Sequence, residues 1–259
     1  MALDFSIGII GSGMLGAAIA EALCCAEPKS LLMANRSGAR PDIDGFTPEN
    51  VLTDPQALAE ACDVVILCVP PAAARDLTID AKDKLVISVM AGVPLAELTR
   101  ISASPRVIRA MSSPAAAMGL AYSPWIASDA VTEDDRARTR AIFEACGQTD
   151  ELHDEPQIDL FTAMTGPVPG FIAACAAAMA RHAEDQGVPS EIADRAVRQL
   201  FLSAGQMMAE GPTPQAHVQE MIDYAGTTAK GLTTLRDNGF AERLAEGLRA
   251  ATQASRDIY

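Results

Sequence analysis

Short, almost wholly apolar runs alternate with stretches whose apolar residues recur every three or four positions, and this alternation stops near Gly147. Residues 5–10, 30–34, 63–69, 85–89 and 106–111 are runs of the kind that form parallel strands covered on both faces, where no polar side is left to show. Helical periodicity lies between or after them, at 17–25, 55–61, 94–100 and 132–145. Strand and helix units in series predict an α/β domain with a doubly wound parallel sheet, its ligand groups gathered beyond the carboxyl ends of the strands. From Asp159 onward no strand pattern remains, and helices are expected at 158–165, 170–186, 190–210, 215–224, 228–238 and 240–256. Gly187-Val188-Pro189-Ser190 stops one helix and starts the next, with Ser190 as the expected cap. The densely small, apolar stretch 173–180 calls for helix-on-helix packing, and Met207, Met208 and Met221 read as core filler.

The first strand runs into Gly11-Ser12-Gly13-Met14-Leu15-Gly16, a G-x-G-x-x-G turn that opens a helix. Each glycine has a task there: a tight turn, close backbone approach to a diphosphate, and close helix-to-strand packing, with the N–H groups opening the helix facing the phosphates. This is a Rossmann dinucleotide site, the alternative being a plain strand-to-helix turn. About 20 residues beyond the last glycine, where an NAD site carries an acid for the ribose hydroxyls, the chain has Asn35-Arg36-Ser37. A guanidinium and a hydroxyl suit a 2'-phosphate, so NADP(H) is expected ahead of NAD(H), unless Arg36 is a solvated loop residue. Val69-Pro70-Pro71, Ala91-Gly92 and Met111-Ser112-Ser113-Pro114 end the later strands and complete the expected cleft. The domains are then 1–155, a Rossmann NAD(P)-binding domain, and 156–259, an all-helical domain. The latter has more apolar helix than one small domain hides from water, which predicts a homodimer or higher oligomer.

Composition narrows the classes. With 259 residues, 49% of them hydrophobic, the chain has material for one or two cored domains. Its apolar runs, such as 64–74 and 171–180, fall well short of the roughly 20 residues that span a bilayer, and no basic, apolar leader opens it; no membrane partner and a cytoplasmic location are expected. Six cysteines without a C-x-x-C pair read as buried free thiols. A formal charge of −14 argues against nucleic acid, and leaves an anionic cofactor to backbone dipoles and a few placed cations. His153, His182 and His217 lack metal-ligand spacing, so no metal is expected.

The order and spacing of residues 7–16, Asn35-Arg36-Ser37, 63–69, Ser88-Val89-Met90-Ala91-Gly92-Val93, Arg109-Ala110-Met111, Thr165-Gly166-Pro167-Val168-Pro169 and Gly226-Thr227-Thr228 resemble the pyrroline-5-carboxylate reductase family over almost the whole chain. The resemblance implies a Rossmann domain for NAD(P)H, a helical domain interlocked with its mate, and reduction of the cyclic imine of pyrroline-5-carboxylate to proline. It further implies a substrate loop at a helix N-terminus, with Gly226 and Thr227 at the substrate carboxylate and the Thr228 hydroxyl at the ring nitrogen, the catalytic contact. Asp223, Thr165 and Gly166 fall at the family's other substrate-binding positions.

Departures cluster on the substrate side. The family's S-P-G-G-T-T reads Asp223-Tyr224-Ala225-Gly226-Thr227-Thr228, its S-G-S-G-P-A-Y reads Thr165-Gly166-Pro167-Val168-Pro169-Gly170-Phe171, its M-P-N-T-P reads Met111-Ser112-Ser113-Pro114-Ala115, and its usual lysine after the strand at 63–69 is Pro70. A carboxylate at 223 would repel a carboxylate substrate, unless Asp223 turns outward or caps the helix beginning near Gly226. Two alternatives therefore stand beside the reductase: a 3-hydroxyacid-type dehydrogenase, for which Lys230 is the only lysine after residue 84, and a non-catalytic NADP-binding protein.

Overall fold

The structure is a computed structural model describing residues 3–167 and 169–259. In chain order the helices and strands are β1 (Ser6–Ile10), α1 (Met14–Cys25), β2 (Ser30–Ala34), β3 (Val51–Leu52), α2 (Pro55–Ala61), β4 (Val64–Leu67), β5 (Leu85–Ser88), α3 (Leu95–Ser102), β6 (Val107–Ala110), β7 (Ala121–Tyr122), β8 (Trp125–Ala127), α4 (Glu133–Cys146), β9 (Gly147–Gln148), α5 (Pro156–Met164), α6 (Gly170–Asp185), α7 (Ser190–Met208), α8 (Pro214–Asp223), α9 (Thr227–Asp237) and α10 (Phe240–Arg256). The chain divides into two compact units, one within 1–168 together with 249–259, the other 169–248.

The first unit is built on a sheet of order β3-β2-β1-β4-β5-β6-β8. Its strands are parallel except β8, which pairs antiparallel with β6. Strand direction sends alternate side chains to opposite faces. Ile7, Ile9, Val64, Ile66, Leu85 and Ile87 enter one core with α1 and α4; Ile10, Val65, Leu67 and Val86 enter the other with α2 and α3. Both faces are covered, which is why the strands are continuous apolar runs. The chain crosses from one side of the sheet to the other between β1 and β4, and a crevice opens there.

A buried ionic cluster sets the boundary of this unit. Arg109 on β6 is 4% exposed, and its guanidinium pairs with Asp159 on α5 at 2.5 Å and with Glu155 at 3.1 Å. Ser255 on α10 donates to the same Asp159 at 3.3 Å, and Glu155 accepts from the Leu95 N–H that opens α3 at 2.8 Å. These bonds draw α5 and 249–259 against the sheet, and by compactness the first unit runs to residue 168 and resumes at 249.

The second unit is helical, as the pattern predicts, with α6 packed on α7. Only Ala193 and Ala229 are buried among its described residues. Met207, Met208 and Met221, expected as core filler, are exposed, because this unit has no closed core of its own to fill. Ser190 is the first helical residue of α7 and not its cap; Pro189 holds the cap position without a side-chain bond. The six cysteines are free, but Cys25 is exposed and only Cys62 and Cys146 are fully buried, where burial pushes their thiols up to about 11 and about 12. Among the described residues no helix is long and apolar enough to cross a membrane, and no group of three or more His, Cys, Asp or Glu is placed to hold a metal ion.

Replacing one member of a buried ion cluster strands the others without their counter-charge, at a cost of about 3 to 5 kcal/mol. Arg109→Met is therefore expected to lower the stability of the first unit by that amount, read as a shift of the urea midpoint.

Candidate functional site

The carboxyl ends of the first unit's strands surround a cleft of about 1010 Å³. Its floor is the turn from β1 into α1. Gly11 has φ +113, and a Cβ there would lie 2.5 Å from the Cys68 carbonyl oxygen beyond β4; only glycine fits both the conformation and the contact. A Cβ on Gly16 would lie 2.1 Å from the Gly11 oxygen, whereas one on Gly13 would meet nothing within 4 Å. The first and third glycines are thus closed by packing, and the second faces open space, the arrangement a diphosphate needs. No acidic side chain stands in the first turn of α1 and no side chain caps it, so its leading N–H groups keep a partial positive charge toward the cleft.

At one end the loop after β2 presents Arg36 and Ser37. Asn35 builds that loop: its Nδ2 donates to the Ala39 oxygen at 2.8 Å, and its Oδ1 accepts from the Ser37 hydroxyl at 3.0 Å and the Ala39 N–H at 3.2 Å. Arg36 is exposed and has no hydrogen-bond or ion-pair partner among the described residues. The cleft continues along Val69, Pro70, Ala91 and Met111 and is closed by Ser112, Thr162 and Gly166. Ser112 is buried, its hydroxyl 2.8 Å from that of Ser123.

Ser12, Gly13, Met14 and Leu15 line the cleft with Gly11, Asn35, Arg36, Ser37, Val69, Pro70, Ala91 and Gly166, as expected from the sequence. Gly16 lies beneath, as helix packing. Gly92 and Thr165 are not among the lining residues: Gly92 is packed against residues 255–258, and the Thr165 hydroxyl bonds back to the Phe161 carbonyl at 3.0 Å. Val168 lies outside the described residues. Thr53, Ala73, Asp76, Leu77 and Thr162 line the cleft without having been expected, since their places follow from the tertiary fold and no local motif marks them.

In the second unit, Gly226 caps α9 through its backbone and Thr227 and Thr228 form its first turn. The Thr228 hydroxyl is exposed and has no hydrogen-bond partner among the described residues. Asp223 ends α8 and does not cap α9; its Oδ1 accepts from Gln219 Nε2 at 2.7 Å along its own helix. Between them Tyr224 is 84% exposed and Ala225 has φ +57.

Residues 155–258 match the family model described as pyrroline-5-carboxylate reductase dimerisation, and residues 6–92 the model described as NADP oxidoreductase coenzyme F420-dependent. The pyrroline-5-carboxylate reductase of Pseudomonas aeruginosa is 30% identical over 97% of this chain and 96% of its own. That of Synechocystis is 29% identical over 99% of each. The crystal structure of the Plasmodium falciparum pyrroline carboxylate reductase with NADP bound shares the fold, with a TM-score of 0.79 at 21% identity over 100% of this chain and 99% of that one.

The left-handed backbone at Ala225 costs an L-residue about 1 to 2 kcal/mol, and the extra freedom glycine brings to the unfolded chain offsets about 0.4 to 1 of it. Ala225→Gly is therefore expected to stabilise the loop by about 0.5 to 1 kcal/mol, visible as a rise in Tm.

Proposed function

The chain belongs to the pyrroline-5-carboxylate reductase family, and on that premise we propose that it is an NADPH-dependent oxidoreductase that adds hydride to the C=N carbon of pyrroline-5-carboxylate, forming proline. The observation that carries the cofactor half is the β1–α1 turn, sealed at Gly11 and Gly16 and open at Gly13. Bound NADPH supplies the hydride. The α1 N-terminus would hold the diphosphate, Arg36 and Ser37 the 2'-phosphate, and Val69, Pro70 and Ala91 the nicotinamide half. An iminium carbon accepts hydride readily once its nitrogen is protonated, so the side chains align two carbons and keep water away. The apolar cleft wall at Met111 suits that role, and no ionised acid–base pair is needed.

For the substrate, the N–H groups at Gly226 and Thr227 are the proposed carboxylate holders, and the free Thr228 hydroxyl the contact to the ring nitrogen. The Gln219 bond supports a reading in which the Asp223 carboxylate is turned along α8 and does not oppose an anionic substrate. The exposed apolar side chains of 169–248, among them Ile172, Leu202 and Met207, are proposed to be covered by a second copy of the chain. Six free thiols suit the reducing cytoplasm as its compartment.

Arg36→Ala is expected to weaken NADPH by about 1 to 3 kcal/mol, the scale of a hydrogen bond between charged groups, and to leave NADH nearly unchanged; equal losses for both cofactors in a titration would refute the 2'-phosphate assignment. Asp223→Ser is expected to change kcat/KM for pyrroline-5-carboxylate by less than about twofold, the usual scale for an uninvolved surface residue. A large gain would mean that the carboxylate does oppose the substrate.

A further inference from the structure

Gly92 directly follows Ala91, a residue of the cleft wall, yet it serves a different neighbour. It has φ +72, and a Cβ there would lie 2.4 Å from Ile258 Cγ2 and 2.5 Å from the Ser255 carbonyl oxygen. The loop after β5 is therefore the seat of residues 255–259.

The same segment reaches the loop after β4. Arg75 closes the 3-10 turn Pro71–Arg75, whose Pro71 and Ala73 line the cleft. Its Nη2 donates to the Tyr259 carbonyl oxygen at 2.7 Å, and its guanidinium carbon lies 5.5 Å from the Tyr259 ring centroid. The ring packs on the apolar core that contains Leu67, Val86 and Met90, and its hydroxyl donates to the Glu97 carboxylate on α3. Arg100 grips that carboxylate at 2.5 and 2.8 Å; Arg100 first, and Tyr259 after it, hold Glu97 down to about 2. At the other end of the segment Ser255 is bonded to Asp159, the partner of Arg109. Residues 255–259 are thus anchored at both ends and bear in between on the two loops that follow β4 and β5.

We propose that Tyr259 is a positioning residue for the nicotinamide half of NADPH: through Arg75, and through the seating of Ile258 on Gly92, it holds the loops after β4 and β5 at the spacing the cofactor needs. Both loops lie on the far side of the β1/β4 crossover from Arg36 and Ser37, so the adenosine half is outside its reach. The inference rests on the NADPH reading above.

The test measures Kd for NADPH and for 2',5'-ADP, which carries only the adenosine half, on wild type, Tyr259→Ala and Tyr259→Phe, together with the blue shift of NADPH fluorescence on binding. Tyr259→Ala is expected to weaken NADPH about tenfold, the scale of a lost hydrogen bond to a charged group, to reduce the blue shift, and to leave 2',5'-ADP unchanged. Both variants keep the main-chain oxygen that Arg75 binds and lose the hydroxyl bond to Glu97; Tyr259→Phe also keeps the ring over Arg75, and is expected to recover part of the loss. Should Tyr259→Ala fail to fold, Arg75→Gln serves in its place with the same expected pattern. Equal weakening of both ligands would make the segment a staple of the fold alone and overturn the proposal, as would no change in either. A wild-type chain that binds neither ligand would overturn the cofactor reading and this inference together. If wild type binds NADPH and the variants match it, only this inference falls.

Discussion

The approach of the β1–α1 turn to the end of β4 is the constraint on which the cofactor half of the molecule depends. With a Cβ at Gly11 only 2.5 Å from the Cys68 carbonyl, the turn has no room to relax, and its lack of freedom fixes where α1 begins. The helix start in turn fixes where the unsatisfied N–H groups point. A dipole site of this kind works without a single cationic side chain, which matters in a chain of formal charge −14. On the proposed reading, the few charged or hydroxyl groups that face the cleft are left to discriminate rather than to attract.

A second constraint lies beneath the sheet, where Arg109 reaches residues 46 and 50 positions away along the chain. Carboxylates buried with one guanidinium are weak evidence of net stabilisation. Their geometry is more informative: Glu155 also receives the first N–H of α3, and Asp159 also receives Ser255. One charged cluster therefore sets the relative placement of β6, α3, α5 and the last turn of α10.

What was legible in the sequence was what local geometry demands. The glycines at 11, 13 and 16 announce themselves because a turn, an open approach and a packed helix each exclude a side chain. Asn35-Arg36-Ser37 follows from the length of one βαβ unit. Val51–Leu52 and Trp125–Ala127 escaped notice because strands of two or three residues draw their order from a neighbour, and no periodicity survives in so short a run. Gly92 is expected in the cleft because it follows the carboxyl end of a strand, while its actual neighbours, Ser255 and Ile258, come more than 160 residues later. The Thr165 hydroxyl looked available in a substrate motif, yet a helical carbonyl one turn back takes it. The proposed substrate loop was legible only through the family it resembles, since Thr228 carries no local mark of the role proposed for it.

The first unit is assembled from both ends of the described chain, and this has a consequence for the order of events during synthesis. Chains emerge amino end first, and contacts between distant positions form late because closing the intervening loop costs entropy. The sheet, α1 and α4 are complete early, but the seat at Gly92 and the Ser255 bond to Asp159 wait for the passage of residues 169–248. The nascent enzyme therefore carries an apolar surface beside β5 that stays uncovered while the helices of the second unit are being made. The length of that interval is set by the size of the intervening stretch, 169–248, rather than by the speed at which the sheet forms.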